Sequence, residues 1–454
     1  METSPRKRAR PAPSTKLLLL QIKNNAVLCA GCMQEQPYSR RRRTRMTNPR
    51  NFALLLALAL VLAFSGCDAA RKARQTGTDI KDKAAKSVSG QAHDGTIKIG
   101  AIFSVTGSAS YLGEPEKKTA EMLEEQINAA GGVLGKKLDI IVYDDEGDEA
   151  KTQELAKKLL FEDQVLAIIG PSRSGNTMAI KDLMTQNKTV LISCAAAEAI
   201  VDPLSPWVFK VYQKDSFVAR HILQHLKDSG ITRIAMLYGN TGFGQEGFRQ
   251  MKAFAPEFGV TIGYDAHYEP SATEGDFETL LTKVKADRSL QAVVNWSILP
   301  AQSIVPSKMK QLGLNLPLYH SHGFGNIQYA RNAGGAAEGV IFPAGRLIVA
   351  YDLPDDHPQK NVLVNYRRAY EERYKEDIST FGGHAYDAIY ILVNALEKAG
   401  VSNDKEALRK AVESVEFMGT GGLYRYTPED HNGLGMDSLN LLTIRNGEFE
   451  LLNQ

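Results

Sequence analysis

The first stretch of the sequence that could hold a small molecule is residues 171–177, PSRSGNT, directly after the apolar run VLAIIG. This loop is polar and contains a glycine, and a helical pattern follows it. Backbone N–H groups and hydroxyls at the N-terminus of a helix bind carboxylates and other anions. Ser174 and Gly175 are therefore predicted to anchor a carboxylate. The alternative is that Ser174 only caps the helix.

A second glycine-containing loop is residues 242–247, GFGQEG, which has the G-x-G-x-x-G pattern of dinucleotide-binding folds. The residues YGNT separate the first glycine from the body of the preceding strand, so the tight turn of that pattern is misplaced. The loop also belongs to the second unit of the chain rather than to the start of a domain. We therefore predict that it faces a cleft for another kind of ligand, and that the protein uses no cofactor.

Enzymatic chemistry is not indicated by the remaining candidates. The loop at 171–177 lacks the Gly-Lys-Ser/Thr ending of a phosphate-binding loop, and it has a serine where a nucleophile elbow has its second glycine. The sequence contains no metal-ligand cluster and no Ser/His/Asp or Cys/His arrangement at a supporting spacing. These observations predict a binding protein that is not an enzyme and holds no metal.

The elements that position these loops alternate between strand and helix patterns. The strand patterns TIKIGAIF, KLDIIVYDD, VLAIIG and TVLIS are separated by helical patterns at 115–130, 149–162 and 176–187. The alternation then repeats with the strands WVFKVY, RIAMLY, VTIGYDAHY, QAVVNW and LPLYHS. This predicts an α/β fold with two doubly wound parallel sheets. Ligands of such sheets lie outside the carboxyl ends of the strands, where both candidate loops begin.

Before residue 96 the sequence indicates export and a lipid anchor. Residues 52–64, FALLLALALVLAF, are too few to span a membrane and suit the apolar core of a signal peptide. The following FSGC resembles a lipobox, which predicts acylation of Cys67; the alternative is a free cysteine in an ordinary signal peptide. We predict an over-called extension at 1–45, a signal peptide at 46–66 and a polar, lipidated tether at 67–95.

The net charge limits the kinds of partner that the protein can have, and the cysteine content limits its disulfides. The chain holds 54 basic and 52 acidic residues, of which the first 50 residues contain 12 and 2, so the remainder has a net charge of −8. A mildly acidic mature protein argues against nucleic acid as a partner. Beyond residue 46 only Cys67 and Cys194 remain, and with Cys67 lipidated no intramolecular disulfide is predicted.

Several motifs together resemble those of the leucine/isoleucine/valine-binding class of ABC-transporter solute-binding proteins. They run in the family's order as IKIGAIFSVTGSASYLG, INAAGGVLGKKLDIIVYDDEGD, AIIGPSRSGNT, VLISCAAAEAI, GFGQEGF, AAEGV and STFGGHAYDAI. The resemblance implies a type I periplasmic binding fold, in which two lobes joined by three chain crossings close on a ligand. Lobe 1 would contain residues 96–212 and 346–415, and lobe 2 residues 213–345 and 416–454.

The resemblance also implies which residues contact the ligand. Ser174 matches the family's carboxylate-binding serine, and Ala195 matches the residue whose carbonyl accepts from an ammonium group. Ala197 keeps a backbone N–H where the family has a threonine. Five aromatic or histidine positions complete the pocket. With Gly175, the implied ligand-binding residues are Tyr111, Ser174, Ala195, Ala197, Phe243, Trp296, His322 and Phe381.

Two departures from the family bear on the ligand. His322 stands where the family has the acid that neutralises an ammonium group, and Ala197 lacks the threonine hydroxyl. A buried charge without a partner is costly, whereas an aromatic carboxylate carries no ammonium group. We therefore predict that aromatic or other non-amino carboxylates bind more tightly than leucine, isoleucine or valine. The alternative is an amino-acid ligand, with Glu198 as the nearest acid and His322 as a structural histidine.

The predicted function is that of a lipid-anchored receptor on the periplasmic side of the membrane. It would bind a small carboxylate, either an amino acid or an aromatic acid, and deliver it to an ABC permease. Closure of a hinge around the ligand would be the mechanism. The alternative is a ligand-sensing receptor domain that acts through a separate signalling protein.

We expect diacylglyceryl attachment at Cys67, because an apolar run and two small residues precede it. The Cys67→Ala variant should therefore appear as soluble or unprocessed protein when membranes are separated from the aqueous fraction. The Cys194→Ala variant, which keeps the lipobox, is the matched control and should remain in the membrane fraction. Intact-mass analysis of membrane-bound wild-type protein checks the modification, and a chain without lipid mass on Cys67 would contradict it.

Overall fold

The computed structural model describes residues 95–452. The extension, the signal peptide, Cys67 and the tether up to residue 94 lie outside the described residues, so these assignments stay predictions. Among the helices of residues 95–452, none is long and apolar enough to cross a lipid bilayer. Two large sheets organise the described part, and we call each sheet with the helices packed on it a lobe.

Residues 96–210 alternate between strands and helices, as the sequence predicts. The second helix begins where the Asp148 carboxylate accepts a hydrogen bond from the backbone N–H of Lys151 at 2.7 Å, which is an N-cap. The elements are β1 (Thr96–Phe103), α1 (Ser110–Ala129), β2 (Lys137–Asp144), α2 (Glu149–Phe161), β3 (Ala167–Ile169), α3 (Ser174–Gln186), β4 (Val190–Ser193) and β5 (Val208–Lys210).

The first helix starts earlier than its sequence pattern indicates. The prediction placed its beginning at Pro115, but α1 begins at Ser110 and includes the proline. Because proline has no backbone N–H, the carbonyl of Tyr111 loses its usual partner four residues later. That carbonyl accepts instead from Nδ2 of Asn326 at 3.2 Å. A residue far away in the chain thus compensates for the proline inside the helix.

Residues 215–344 repeat the alternation. One helix starts with a capping box, in which Thr273 and Asp276 each bond to the backbone of the other. The elements are α4 (Asp215–Asp228), β6 (Arg233–Gly239), α5 (Gly242–Phe254), β7 (Thr261–Tyr268), α6 (Glu274–Ala286), β8 (Ala292–Trp296), α7 (Ile304–Gln311), β9 (Leu318–His320), α8 (Ile327–Ala333) and β10 (Ile341–Ala344).

The last part of the chain contributes to both lobes. Its helix α10 packs along α1 of lobe 1, and its final two strands join the sheet of lobe 2. The elements are α9 (Lys360–Tyr374), α10 (Thr380–Ala399), α11 (Lys405–Val412), β11 (Glu416–Met418), β12 (Leu423–Arg425), β13 (Asn440–Arg445) and β14 (Glu448–Leu451).

The two sheets differ in strand direction. The sheet of lobe 1 has the order β2-β1-β3-β4-β5 and is parallel throughout. The sheet of lobe 2 has the order β14-β13-β10-β9-β8-β6-β7, in which β13 and β14 run antiparallel to their neighbours. Asn446 and Gly447, both at positive φ, form the two-residue hairpin turn between those strands. The predicted doubly wound α/β fold is confirmed, with this antiparallel edge added.

The chain passes between the lobes after β5, after β10 and between β12 and β13. The short pair of β11 and β12 forms a separate two-stranded sheet beside the first crossing rather than joining either large sheet. There the hydroxyl of Tyr424 donates to the carbonyl of Val211 at 2.6 Å and lies 2.9 Å from the buried carboxylate of Asp387. These bonds attach the pair to α10 and to the crossing.

The glycines of the G-x-G-x-x-G pattern permit close packing. A Cβ added at Gly244 would lie 2.0 Å from the carbonyl oxygen of Gly239, at the end of β6. A Cβ at Gly247 would lie 2.1 Å from Cε2 of the fully buried Trp296. The spacing therefore lets α5 approach both β6 and the indole.

We expect Gly247→Ala to lower the free energy of unfolding by about 1–3 kcal/mol, because the new methyl group would overlap the Trp296 indole. Urea unfolding followed by circular dichroism measures this change. Gly335→Ala is the matched control, since a Cβ there meets no atom within 4 Å, and it should change stability by less than about 0.5 kcal/mol. Equal stability of the two variants would be inconsistent with the packing of α5 on Trp296.

Candidate functional site

Ser174 begins α3 at the carboxyl end of β3 in lobe 1. Its hydroxyl oxygen accepts a hydrogen bond from the backbone N–H of Ala197 at 3.1 Å, and both residues are buried. Arg173, the residue before the helix, makes no side-chain cap, so the first N–H groups of α3 are not used by a capping side chain. A hydroxyl, a loop N–H and a helix N-terminus thus meet at one place, which is suited to a carboxylate.

A buried polar network holds the loop that carries Ser174. The hydroxyl of Ser172 donates to the carboxyl group of Glu116 in α1 and accepts from the N–H of Ser104 at 3.0 Å. The Ser104 hydroxyl in turn donates to Asp145 at 2.6 Å. Burial raises the pKa of Glu116 well above its usual value. These bonds fix the loop against three other segments of lobe 1.

The lobes are in contact beside Ser174. A Cβ added at Gly242, the first residue of α5 in lobe 2, would lie 3.2 Å from the backbone nitrogen of Gly175 in lobe 1. Gly175 itself is the first-turn neighbour of Ser174 in α3. Further along the seam, the hydroxyl of Tyr111 accepts from Nδ2 of Asn332 in α8 at 3.0 Å. The structure therefore shows the two lobes closed on each other.

Aromatic rings of lobe 2 and of the first crossing form a wall next to this contact. The ring centroids of Phe243, Trp296 and His322 lie 5.3–6.0 Å apart. Tyr212 adds a fourth ring, 4.6 Å from that of His322. We call Tyr212, Phe243, Trp296 and His322 the aromatic wall; all four are almost completely buried. Such a surface suits a hydrophobic or aromatic ligand body.

The structure places the remaining predicted residues less centrally. The ring of Tyr111 packs on Tyr329 of α8, with centroids 5.2 Å apart, so this side chain lies in the seam between the lobes. Phe381 is buried in α10, and its ring centroid lies 6.4 Å from that of Tyr212, the member of the aromatic wall that it contacts. The N–H of Ala195 bonds to the hydroxyl of Ser193 at 3.1 Å, which shapes the loop before Ala197.

Asp215 is a candidate functional residue that the sequence reasoning missed. It is fully buried at the start of α4, where Oδ2 accepts from the N–H of Glu198 at 3.2 Å. Its Oδ1 has no hydrogen-bond partner among residues 95–452 and lies 3.8 Å from Nε2 of His322. Burial raises the pKa of Asp215 well above its usual value, and the nearby Lys210 opposes this shift. The signal that identified Ser174, a polar residue opening a helix after a strand, was present here too.

The Lys210 side chain is fully occupied. Its ammonium group donates to the carbonyl oxygens of Ala196, Tyr212 and Gln213 at 2.6, 2.9 and 3.0 Å. Burial lowers its pKa to about 8. An ammonium group has three protons to donate, and all three are used here. Lys210 therefore holds these backbone segments in place and has no donor left for a ligand.

His322 is buried in lobe 2, at the start of a short 3-10 turn. Burial lowers its pKa well below the usual value, so the imidazole is neutral. Neither ring nitrogen finds a partner in the described part of the chain. The structural alternative, a histidine held by backbone groups, therefore lacks the hydrogen bonds it needs. A neutral imidazole offers a ligand one donor and one acceptor.

Comparisons with known proteins agree with this geometry. Residues 96–448 match the model of the family described as periplasmic binding protein. The leucine-, isoleucine-, valine-, threonine- and alanine-binding protein of Pseudomonas aeruginosa is 26% identical over 328 residues, which cover 71% of this chain and 83% of that protein. A Leu/Ile/Val-binding protein of Rhizobium johnstonii is 24% identical over 322 residues, 70% of this chain and 83% of its own.

Solved structures show the same fold. An extracellular ligand-binding receptor from Rhodopseudomonas palustris HaA2 has a TM-score of 0.73 and 26% identity, and the match covers 79% of this chain and all of that one. A branched-chain amino acid transporter substrate-binding protein from Streptococcus pneumoniae, solved with isoleucine, has a TM-score of 0.69 and 24% identity over 78% of this chain and 98% of its own.

The relatives are solute-binding proteins, which confirms the prediction that this chain is not an enzyme. The resemblance drawn from the sequence motifs is confirmed as well. With the family model matched across nearly all described residues and two α/β lobes closed on a polar and aromatic site, the chain belongs to the periplasmic binding protein family.

Proposed function

We propose that the protein is the solute-binding component of an ABC importer of the branched-chain amino acid class, and that it binds a small hydrophobic α-amino acid between its lobes. The family implies export to the periplasm. The curated relatives are named for binding leucine, isoleucine and valine. The lipobox before Cys67 and the polar tether support attachment to the membrane near a permease.

The observation that carries the amino-acid proposal is the position of Asp215. Ala197 lies at the predicted carboxylate anchor, and the next residue, Glu198, donates its N–H to Asp215. The N–H of Ala197 bonds to Ser174, and the N–H of the next residue bonds to Asp215, so the unpaired Oδ1 of Asp215 lies close to the predicted carboxylate anchor at Ser174. Ser174 and Asp215 are both buried. An α-amino acid carries its ammonium and carboxylate groups on neighbouring atoms, so this juxtaposition of an acid and an anion anchor suits it.

Asp215 also changes the argument from the sequence about ligand class. The lack of an acid at the position of His322 favours non-amino carboxylates. The buried carboxylate of Asp215, whose Oδ1 lies 3.8 Å from Nε2 of His322, would supply the acid from another element. An ammonium group beside Oδ1 of Asp215 would meet a carboxylate acceptor, and its charge would favour the ionised acid. Glu198 is engaged elsewhere, since it accepts from the N–H of Ser216 at 3.1 Å.

An aromatic carboxylate is the second candidate. The aromatic wall favours it, because a cluster of four rings suits contact with a planar ligand body. The neutral His322 favours it too, since a neutral imidazole does not balance an ammonium charge. In this case Ser174 would hold the carboxylate in the same way, and Asp215 would stay protonated.

The competing biological role is ligand sensing through a separate signalling protein. Both roles use the same closure of the lobes around a ligand, so the binding site does not separate them. Uptake of radiolabelled ligand by cells that lack the gene distinguishes the two. Loss of uptake supports transport, whereas normal uptake with a lost transcriptional response supports sensing.

We expect Ser174→Ala to weaken ligand binding about 10–100-fold, because a hydrogen bond to a charged carboxylate contributes about 1.5–3 kcal/mol. Isothermal titration calorimetry on the domain from residue 95 onward measures the change. Ser307→Ala, which removes a half-buried hydroxyl of α7 that donates to the carbonyl of Ala333, is the matched control and should bind normally. Wild-type affinity in a folded Ser174→Ala protein would remove this residue from the site.

We expect Asp215→Asn to separate the two ligand classes. The amide keeps an oxygen for the N–H of Glu198 but removes the charge. Leucine binding should therefore weaken about 10–100-fold, while benzoate binding should stay the same. Asp228→Asn, an exposed acid at the other end of α4, is the control. Benzoate or cinnamate binding more tightly than leucine to the wild type, with no effect of Asp215→Asn on leucine, would support the aromatic candidate instead.

A further inference from the structure

A small cavity lies beside the aromatic wall, where the chain crosses between the lobes. The first crossing lines it with Tyr212 and Gln213, the second with Gly345, and the turn between β11 and β12 with Gly421. His322 and His384 add two imidazoles, and Thr380 and Thr420 add two hydroxyls, to its polar lining. The accessible volume is about 10 Å³, which is room for about one water-sized group.

Three unpaired nitrogen atoms belong to the histidines of this cavity. Nδ1 of His384 and both ring nitrogens of His322 have no hydrogen-bond partner within residues 95–452, although the two side chains are 3% and 1% exposed. The Tyr212 ring packs against both, with its centroid 3.8 Å from that of His384 and 4.6 Å from that of His322. Buried polar groups in proteins are nearly always hydrogen-bonded. A partner from outside the described chain is therefore expected here.

The chemistry of the cavity selects the kind of partner. Burial lowers the pKa of His384 to about 3 and that of His322 well below its usual value, so both rings are neutral. Each neutral ring has one donor and one acceptor nitrogen. The nearby ammonium group of Lys210 is saturated by three carbonyls. A hydroxyl, which both donates and accepts and carries no charge, matches this lining better than an ammonium or carboxylate group does.

We propose that this cavity is a subsite for a hydroxyl group at the far end of the ligand, so that the preferred ligands are carboxylates whose hydrophobic body ends in a hydroxyl, such as a hydroxyphenyl group. The inference rests on the proposed function, because it takes the carboxylate to lie at Ser174 and the body to lie on the aromatic wall. Beyond the proposed function, the inference names the group at the far end of the ligand, a hydroxyl, and places His384 in contact with it.

Matched pairs of ligands test the subsite by calorimetry. The pairs are L-tyrosine with L-phenylalanine, and 4-hydroxyphenylacetate with phenylacetate. We expect the hydroxylated member to bind about 3–10-fold more tightly in whichever pair binds, the range for one neutral hydrogen bond. In His384→Leu this ratio should fall to about one. His225→Leu, which removes a half-buried imidazole of α4 that contacts Tyr319 of β9, is the matched control and should keep the wild-type ratio. His384→Gln, which retains hydrogen-bonding groups, covers the case in which the leucine variant fails to fold.

Equal or weaker binding of the hydroxylated members would overturn the proposal and indicate that the cavity holds only water. A preference for the hydroxylated ligand that survives in His384→Leu would overturn the proposal as well.

Binding of phenol, observed by ligand-detected NMR, separates a failure of the subsite from a failure of the proposed function. Phenol has no carboxylate, so its binding should require His384 but persist in Ser174→Ala. If no carboxylate binds but phenol binding depends on His384, the proposed function is wrong and the subsite stands; phenol binding that is absent or independent of His384 rejects the subsite.

Discussion

The arrangement of the site depends on one buried ammonium group, that of Lys210. Taking an ammonium group out of water costs several kcal/mol, and three carbonyl acceptors together with nearby carboxylates offset this cost. One of those carbonyls belongs to Ala196, in the loop that bears the carboxylate anchor. The other two belong to Tyr212 and Gln213, in the first crossing. A single side chain thus sets the position of the binding loop of lobe 1 relative to the hinge.

The polar atoms that the fold leaves without partners are not spread evenly. Eleven buried side-chain atoms lack a hydrogen bond in the described part of the chain, and five of them belong to residues around the cleft and the hinge: Asp215, Trp296, His322 and His384. Each such group costs free energy in the closed arrangement. A ligand that forms hydrogen bonds with these groups therefore stabilises the closed form by more than its contacts with a single lobe contribute. This gives the closed form a differential affinity for ligand, which a binding-driven conformational change requires.

Most of the fold follows from local patterns in the sequence. Alternating strands and helices predict the two sheets, and the loops at the carboxyl ends of strands predict Ser174. The start of α1 was wrong because a distant side chain, Asn326, replaces the hydrogen bond that Pro115 removes. Asp215 does not stand at the family's acid position, which His322 occupies, and only the packing of α4 within lobe 2 shows that the two side chains are neighbours. The antiparallel direction of β13 and β14 depends on pairing between distant segments, although the Asn-Gly turn that joins them is readable locally.

The pairing of β13 with β10 has a consequence for the order in which the protein can fold. Strand β10 ends at residue 344, but its antiparallel neighbour β13 begins at residue 440. About a hundred residues of lobe 1 and the crossings must therefore be synthesised before the two strands can pair. Until then, β10 is an exposed edge strand of a parallel sheet, which is a template for pairing with other chains. A protein that crosses a membrane unfolded avoids this exposure during synthesis. After export, β10 stays an unpaired edge until β13 pairs with it, so late pairing of the last hairpin lengthens the time in which aggregation competes with folding.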